Sequence, residues 1–471
     1  MLKFYNYNLH IAQTVKKPNF DTDKLFQRAL VLHNEGKLVE AESLYKTLVD
    51  FFPRETNLLS ALGTLLLQRG LHSEGVHLLK TSLSINPNQP QTLYNLGIEL
   101  QKYAKFEDAL QCYNTSIELN SANPICFLNK GNTLKELKKY IEALENYCEA
   151  IRLSPNLASA HWNKSLTHLL IGQFSEGWKL YEWGWEAGER GVKREFSQPI
   201  WLGETCINDK IILIIAEQGL GDYIQFSRYI PMLVDIGAKV IIECSSNLKP
   251  LFSTLKSEFQ LIEEGEPLPN FDTYCPVMSL PLAFKTTLEN IPNRTPYLFV
   301  DHEKRDKWCK ILGEKKRPRV GIAWSGSITN KIDLNLATRR NIPLESLKDI
   351  FSMEVDFHVL QKEFRSEDAK LIPNIENLNF HQNQLNDFSD TAALICEMDI
   401  VISTCTSIAH LSGALNQTTI VMLPYSADYR WMENRLDSPW YPSLKLIRQS
   451  NVDDWSQALI QLKSSMKYIL K

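Results

Sequence analysis

The sequence predicts an α-helical solenoid followed by a pair of parallel-sheet α/β units, and two observations carry that prediction. First, residues of one kind recur every 34 positions in the N-terminal part of the chain: Pro53, Pro87, Ser121 and Pro155; Gly63, Gly97 and Gly131; Ala41, Gly75, Ala109, Ala143 and Gly177; Tyr45, Leu79, Tyr113, Tyr147 and Tyr181. Second, from Lys210 onward short β-branched runs such as I-I-L-I-I-A (211–216) alternate with helical stretches, the pattern of βαβ units.

A 34-residue period is that of the tetratricopeptide repeat, a helix–turn–helix unit. Five units are expected, at 23–55, 56–90, 91–124, 125–158 and 159–190, after an N-terminal extension, 1–22. Small residues such as Gly97 and Ala109 let the two helices of a unit approach closely. Tyr113 and Tyr147 fill the groove beside the next unit. The prolines fall past the second helix, where they cannot continue its hydrogen bonding. The last unit is aromatic-rich (Trp178, Tyr181, Trp183, Trp185) and lacks the closing Pro. Terminal repeats are atypical because one face meets something other than a repeat; the next domain is the expected neighbour.

Pro199 and Gly203 break the helical period, so 191–210 reads as a linker, docked through Trp201. A first Rossmann-like half is expected at 211–310. It begins with a buried strand at 211–216, a Gly-rich turn, a helix at 222–236 and a strand at 239–243. A second half is expected at 318–471, with strands at 319–324, 355–360, 399–403 and 419–423 and a helix from Ser407 to Leu415. It ends in an amphipathic helix at 452–468 whose Asp453 and Asp454 suit its N-terminal dipole. Ligands of such sheets bind beyond the carboxyl ends of the strands.

Bulk composition narrows the function classes. The 471 residues are 44% hydrophobic and 23% charged, the balance of a globular protein with large cores. With 51 basic and 55 acidic residues the net charge is −4, and Lys315-Lys316-Arg317 before a strand reads as a solvated turn, so no nucleic-acid partner is expected. Nine cysteines without a C-x-x-C pair read as reduced thiols, hence a cytoplasmic setting. The N-terminus is too polar for a signal peptide, and no run of roughly 18 apolar residues predicts a membrane span.

Three constellations could carry chemistry. In A-E-Q-G-L-G-D (216–222), Gly219 and Gly221 lie between a strand and a helix, where glycine permits close backbone approach to a ligand. Gln218 precedes them and Gln225 lies one turn beyond. Asp222, at the helix mouth, reads either as a general base or as a helix cap. In S-T-C-T-S-I-A-H (403–410), Thr406 and Ser407 open a helix and read either as an anion site by virtue of its free amides or as a simple N-cap, with His410, one turn in, either beside the ligand or satisfied within the helix. Finally, Trp324 and Gly326 end one strand, Gln361 and Lys362 end another, and Arg340 lies in a polar loop, 327–341, able to close over a cleft. No cluster has metal-ligand spacing, and neither a G-x-S-x-G elbow nor an oriented Cys–His pair supports hydrolytic chemistry.

Beyond single motifs, a series of ordered segments resembles a known family. They are W-L-G (201–203), A-E-Q-G-L-G-D-Y-I-Q-F-S-R-Y-I-P (216–231), F-D-T-Y-C-P-V-M-S-L-P-L-A-F (271–284), V-G-I-A-W-S-G (320–326), R-R-N-I-P-L (339–344), L-Q-K (360–362), D-F-S-D-T-A-A-L-I (387–395), A-H-L-S-G-A-L (409–415) and D-S-P-W-Y-P-S (437–443). Together with the repeats they resemble bacterial proteins that carry tetratricopeptide repeats ahead of a glycosyltransferase family 9-like domain, related to the lipopolysaccharide heptosyltransferases. More distantly the combination looks like the O-linked N-acetylglucosamine transferases. The resemblance implies a GT-B fold, with the acceptor side in the first half and a nucleotide sugar, rather than any cofactor, in the second. It makes Asp222 the base, Lys362 a diphosphate ligand and 405–410 the donor-side helix start. It also exposes departures: Cys405-Thr406 replaces the family's Asp-Thr, the loop 327–340 is longer and lacks the usual His, and Tyr429 stands where Trp is commoner.

Two functions are therefore expected to compete. One is an inverting, metal-independent glycosyltransferase, with Asp222 as base and with Trp324, Gly326, Arg340, Gln361, Lys362, Thr406, Ser407 and His410 holding the donor. Gln218, Gly219, Gly221 and Gln225 form its acceptor-side or phosphate loop. The other is an inactive nucleotide-sugar-binding scaffold that takes a protein or peptide in the repeat groove.

Overall fold

The computed structural model describes residues 21–326 and 340–470, apart from the side chain of Asn374. The expected N-terminal extension and the loop 327–339 lie largely or wholly outside the described residues. The chain divides at Lys164/Ser165 into two compact units.

The first unit is a tetratricopeptide-like helical solenoid. Antiparallel pairs follow one another: α1 (Thr22–Asn34) and α2 (Leu38–Phe51), α3 (Thr56–Gln68) and α4 (His72–Ile85), α5 (Pro90–Lys102) and α6 (Phe106–Leu119), α7 (Pro124–Glu136) and α8 (Tyr140–Leu153). Pro90 and Pro124 sit at the first helical positions, where the missing N–H costs nothing. Asn123 caps α7 by accepting from the amides of Ile125 and Cys126. The small-residue positions explain the period. A Cβ on Gly97 would lie 2.7 Å from Tyr113 Cε1, and one on Gly131 would lie 2.6 Å from Tyr147 Cε1. Each glycine thus leaves the space that the tyrosine 16 positions on occupies, and Tyr45, Tyr113 and Tyr147 are fully buried. Buried apolar area of this kind contributes about 25 cal/mol per Å².

A fifth helical pair, α9 (Ala158–Leu170) and α10 (Phe174–Tyr181), completes the series, with the division between the units falling inside α9. From Ser165 on, the pair is counted with the second unit, whereas the sequence reading kept all residues to 190 with the repeats. The physical reason lies in α10: Trp178 packs edge-on against Phe226 at 6.0 Å and Tyr429 at 5.9 Å, and Phe174 stacks on Trp440 at 6.0 Å.

The rest of the second unit holds two parallel sheets. The first has the order β3-β2-β1-β4, from β1 (Ile211–Ile215), β2 (Lys239–Cys244), β3 (Phe259–Glu263) and β4 (Thr273–Pro276). The second has the order β10-β9-β8-β5-β6-β7, from β5 (Arg319–Ala323), β6 (Asp356–Val359), β7 (Leu378–Asn379), β8 (Ile400–Thr404), β9 (Thr419–Leu423) and β10 (Leu444–Arg448). Every pair within them is parallel, for example Ile212 with Val240 on one side and with Thr273 on the other. Such strands are covered on both faces and read as continuous apolar runs, as the fully buried β8 and β9 do.

Several elements differ from expectation. The helix placed at 222–236 starts at Leu220 and passes through a 3₁₀ turn, Ser227–Tyr229, just before Pro231. The last helix runs Ser456–Ile469 and not from 452: Asp453 has φ +59°, and Asp454 precedes the helix with its carboxylate accepting from the Ser456 amide at 3.0 Å. Strands β3, β4, β7 and β10 went unassigned. The segment 191–210 does meet the first sheet at Trp201, where its sequence puts the contact. Trp201 donates its amide to the Tyr274 carbonyl at 2.8 Å, extending the edge of the first sheet, and Arg194 pairs with Glu243.

Candidate functional site

Strand order locates the candidate site before any side chain is considered. In a doubly wound sheet the crevice opens where the winding reverses. In the first sheet β1 leads to β2 on one side while β4 lies on the other, so the reversal is between β1 and β4. In the second sheet β5 leads to β6 on one side while β8 lies on the other. The chain leaving β1 is Ala216–Asp222, the chain leaving β5 is Trp324–Gly326, and the chain leaving β8 is Cys405–Ser407. The first two sequence constellations and Trp324–Gly326 of the third thus sit at the two switch points, with Gln361 and Lys362 after the neighbouring strand β6.

The two halves meet through these turns. Helix Leu220–Phe226 packs against helix Ser407–Ala414. A Cβ at Gly221 would lie 3.2 Å from Ser407 Cα and 3.1 Å from His410 Cδ2, so glycine is what lets the helix starts approach. Gln218 adopts φ +58°, a left-handed conformation that non-glycine residues hold only when their surroundings fix it. Its side chain accepts from Tyr181 Oη at 3.2 Å and donates to the Glu189 carbonyl at 3.4 Å. Asp222 Oδ2 accepts the Gly219 amide at 2.9 Å, and the Asp222 amide donates back to the Gly219 carbonyl at 3.0 Å. The other Asp222 carboxylate oxygen, Oδ1, lies 2.6 Å from Arg430 Nη2.

Arg430 is nearly buried between two carboxylates, since its Nη1 also reaches Asp428 Oδ1 at 2.8 Å. Burial works against its charge, but Asp222 and Asp428 outweigh burial, so the guanidinium stays protonated. The guanidinium lies over the Tyr429 ring at 4.3 Å. Sequence reasoning missed Arg430 and Asp428. Their D-Y-R triplet lies in a loop after β9 with no periodic or glycine signal.

On the donor side the expected residues fall into two sets. Thr406 begins helix Ser407–Ala414 without capping it through its side chain, which instead lies 3.0 Å from Ser403 Oγ. Among the described residues the first-turn amides therefore have no cap from the Thr406 side chain, the condition that favours an anion. Arg340 packs against Gly326 and reaches the Cys405 carbonyl at 3.4 Å, with its Nε buried and unpaired among the described residues. Lys362 is exposed at the end of β6, without an ion-pair partner among the described residues. Arg340, Thr406 and Ser407 lie at the second switch point, and Lys362 follows the neighbouring strand β6.

Trp324, Gln361 and His410 are used internally. The Trp324 indole is fully buried and donates to Asp368 Oδ2 at 3.0 Å. The Gln361 carboxamide accepts from the amides of Trp324 (2.8 Å) and Ser325 (3.1 Å) and donates to Ser325 Oγ, fixing the end of β5 to the end of β6. His410 stacks on Trp431 at 5.3 Å, with Nδ1 3.1 Å from Tyr441 Oη. Burial, helped by Arg430 and Arg228, pushes its pKa well below the ordinary histidine range, so it is neutral at pH 7 and brings no charge to an anion. Cys405 accepts the Trp431 indole N–H at 2.9 Å, and burial pushes its thiol up to about 11. Gln225 is fully buried with both carboxamide atoms unpaired among the described residues.

Comparison with known proteins supports the repeats. Residues 131–172 match the family described as the TPR repeat. Protein FlbA of Caulobacter vibrioides is 23% identical over 343 residues, which make up 66% of this chain and 55% of that protein. The chain thus spans about half the length of the curated relative it matches. Among solved structures, two crystal structures of MamA each match at 20% identity: one covers 34% of this chain and 94% of that chain with a TM-score of 0.32, the other 37% and 96% with 0.33. Repeats of this kind suggest protein partners, and among the described residues no helix is long and apolar enough to cross a membrane.

Proposed function

We propose that the α/β part of the second unit is an inverting glycosyltransferase that acts without a metal, takes a nucleotide sugar at the second sheet and an acceptor hydroxyl at the first, and uses the repeats to hold a protein partner or acceptor. The observation that carries this reading is the packing of the Gly219–Asp222 turn against the Thr406–His410 helix start at 3.1–3.2 Å from the Gly221 Cβ position. Two switch points are thereby brought to one place, with a carboxylate on one side and an uncapped helix N-terminus beside Arg340 on the other.

In this reading Asp222 takes the proton of the acceptor hydroxyl as its oxygen attacks the anomeric carbon. A carboxylate offers about four lone-pair sites, so bonds to Gly219 and Arg430 leave room for a third donor. The bond to the leaving nucleoside diphosphate breaks as the new glycosidic bond forms, and the growing negative charge falls on the helix N-terminus, Arg340 and Lys362. Trp324, Gln361 and His410 support the walls of the site and do not bind the donor themselves. The test is release of nucleoside diphosphate from a panel of nucleotide sugars with a cell-lysate acceptor pool. Turnover lost in Asp222→Asn supports the assignment, and turnover surviving it removes Asp222 as base.

A second reading has its own observation. Cys405, hydrogen-bonded by Trp431 in place of the family's Asp, removes a carboxylate from the donor side. A nucleotide-sugar-binding scaffold fits that substitution, and silence across the panel together with nucleotide binding by calorimetry would favour it.

A further inference from the structure

We propose that Arg190, in the segment that follows the last helical pair, is a positioning residue for the Gln218–Asp222 turn. Its expected effect on turnover rests on the transferase reading above; its geometry does not. Arg190 is buried, and four of its five guanidinium N–H donors are bonded. Nε and Nη2 grip the two oxygens of Glu217, each at 2.6 Å; Nη1 reaches Glu182 Oε1 at 2.8 Å; and Nη2 also reaches Ser279 Oγ at 2.8 Å. The cation lies 4.3 Å over the Trp185 ring.

The partners of Arg190 mark where it acts. Glu217 is the second residue beyond β1, and Ser279 lies just beyond β4. The Met278 amide also donates to Glu217 Oε1 at 2.9 Å. Arg190 therefore bridges the chain leaving β1 and the chain leaving β4, the two strands between which winding reverses. Glu217 is followed directly by Gln218, whose left-handed conformation persists only if its neighbours fix it. Two of those neighbours come from the helical side: Arg190 through Glu217, and Tyr181 through the side-chain Oε1 of Gln218 at 3.2 Å. Gln218 in turn sets the direction of the Gly219 amide, which holds Asp222 Oδ2. The path from the post-helical segment to the candidate base is continuous and made of buried, charge-assisted bonds at its origin.

Arg190→Lys keeps the charge and loses the planar fork, so one ammonium cannot serve Glu217 bidentately together with Glu182 and Ser279. Amide hydrogen exchange in the full chain is the readout. In a folded Arg190→Lys protein, exchange in 217–223 should speed up by about tenfold or more while helix Ser407–Ala414 is unchanged. Glu217→Gln, which keeps shape and removes one charge, should give the same local pattern and decides the matter if Arg190→Lys fails to fold. Unchanged exchange at 217–223, or equal acceleration across the whole unit, would overturn the proposal. On any donor that the wild type turns over, kcat should fall with donor KM unchanged; a raised KM at unchanged kcat would also overturn it. A wild type silent on every donor disposes of the transferase reading, and exchange still decides the positioning role.

Discussion

Asp222 Oδ1 and Arg430 Nη2 are 2.6 Å apart, joining the turn after β1 in the first sheet to the loop after β9 in the second. The pair ties the candidate base to the opposite half of the unit. Because Arg430 also holds Asp428, removing the Asp222 charge does not strand a buried cation. Asp222→Asn should therefore fold, keep its capping bond to Gly219 and bind nucleoside diphosphate nearly as the wild type does. Its transfer rate should fall by about 10²–10⁴, the usual contribution of a general base. Calorimetry and product release on the same preparation separate the two quantities.

Gly221→Ala tests the close approach of the helix starts. The added methyl would meet Ser407 Cα at 3.2 Å and His410 Cδ2 at 3.1 Å. Ser407 is met at its backbone and His410 is held by Trp431 and Tyr441, so neither yields easily. Overpacking of this kind costs about 1–3 kcal/mol. A lowered urea midpoint with weakened nucleotide binding is expected, and wild-type values for both would show that the halves have slack at this contact.

How legible the site was depends on what each residue does. Turns rich in glycine after apolar strands announce themselves, so Gly219, Gly221 and Asp222, and the Thr406–Ser407 helix start, could be read directly. Arg430, Arg190 and Glu217 could not, because the partners that define them lie 27 or more residues away in the chain or across the two halves, and Asp428 gains its meaning only through Arg430. Trp324 and Gln361 end strands, a position that suits a ligand contact and equally suits a residue that pins neighbouring strands, as Gln361 does. The repeats were the most legible part, since each glycine–tyrosine contact is local and periodic. Edge strands β3, β7 and β10 were the least, being short or partly exposed.

Arg340→Ala should weaken nucleoside diphosphate binding by about 1.5–3 kcal/mol, the range for a hydrogen bond to a charged group. Its half-buried guanidinium sits between Gly326 and the Cys405 carbonyl, and the Nε is unpaired among the described residues. Lys362→Ala, at an exposed position, should cost less because solvent screens its charge. Titration calorimetry that gives Lys362 the larger effect would move the phosphate away from Arg340.

Gly131→Ala probes the repeats alone. A Cβ there would lie 2.6 Å from Tyr147 Cε1 and 3.2 Å from the Ala143 carbonyl oxygen. Helix propensity favours alanine by about 1 kcal/mol, so the sign of the net effect is informative. Tyr147 is fully buried and its hydroxyl donates to Asn132 at 2.9 Å, so the ring has no free direction in which to move. A net loss of about 1–2 kcal/mol is expected, read as a lower melting temperature. A stabilised variant would mean that Tyr147 shifts readily and that the small-residue position is not what sets the helix spacing.

Acid should destabilise the second unit through a buried histidine pair. His358 Nδ1 and His381 Nε2 are 3.0 Å apart and the rings stack at 5.3 Å with 11° between their planes. Burial, the neighbouring His381 and Arg319 lower the His358 pKa to about 4, and burial lowers that of His381. One ring can donate to the other only while at least one nitrogen of the contact is unprotonated. The sign follows from linkage: below the unfolded value near 6.5 the unfolded chain binds protons that the folded pair refuses, so stability is intact above about 6.5 and is lost as pH falls toward 4. Each such histidine contributes a slope of up to about 1.4 kcal/mol per pH unit in that window. Urea unfolding of the wild type and of His358→Gln at pH 7.5, 6 and 5 separates this pair from other buried histidines. The variant starts lower, from lost stacking, but should lose less stability between pH 6.5 and 5 than the wild type. Parallel pH dependences for the two proteins would show that the pair does not set the acid response.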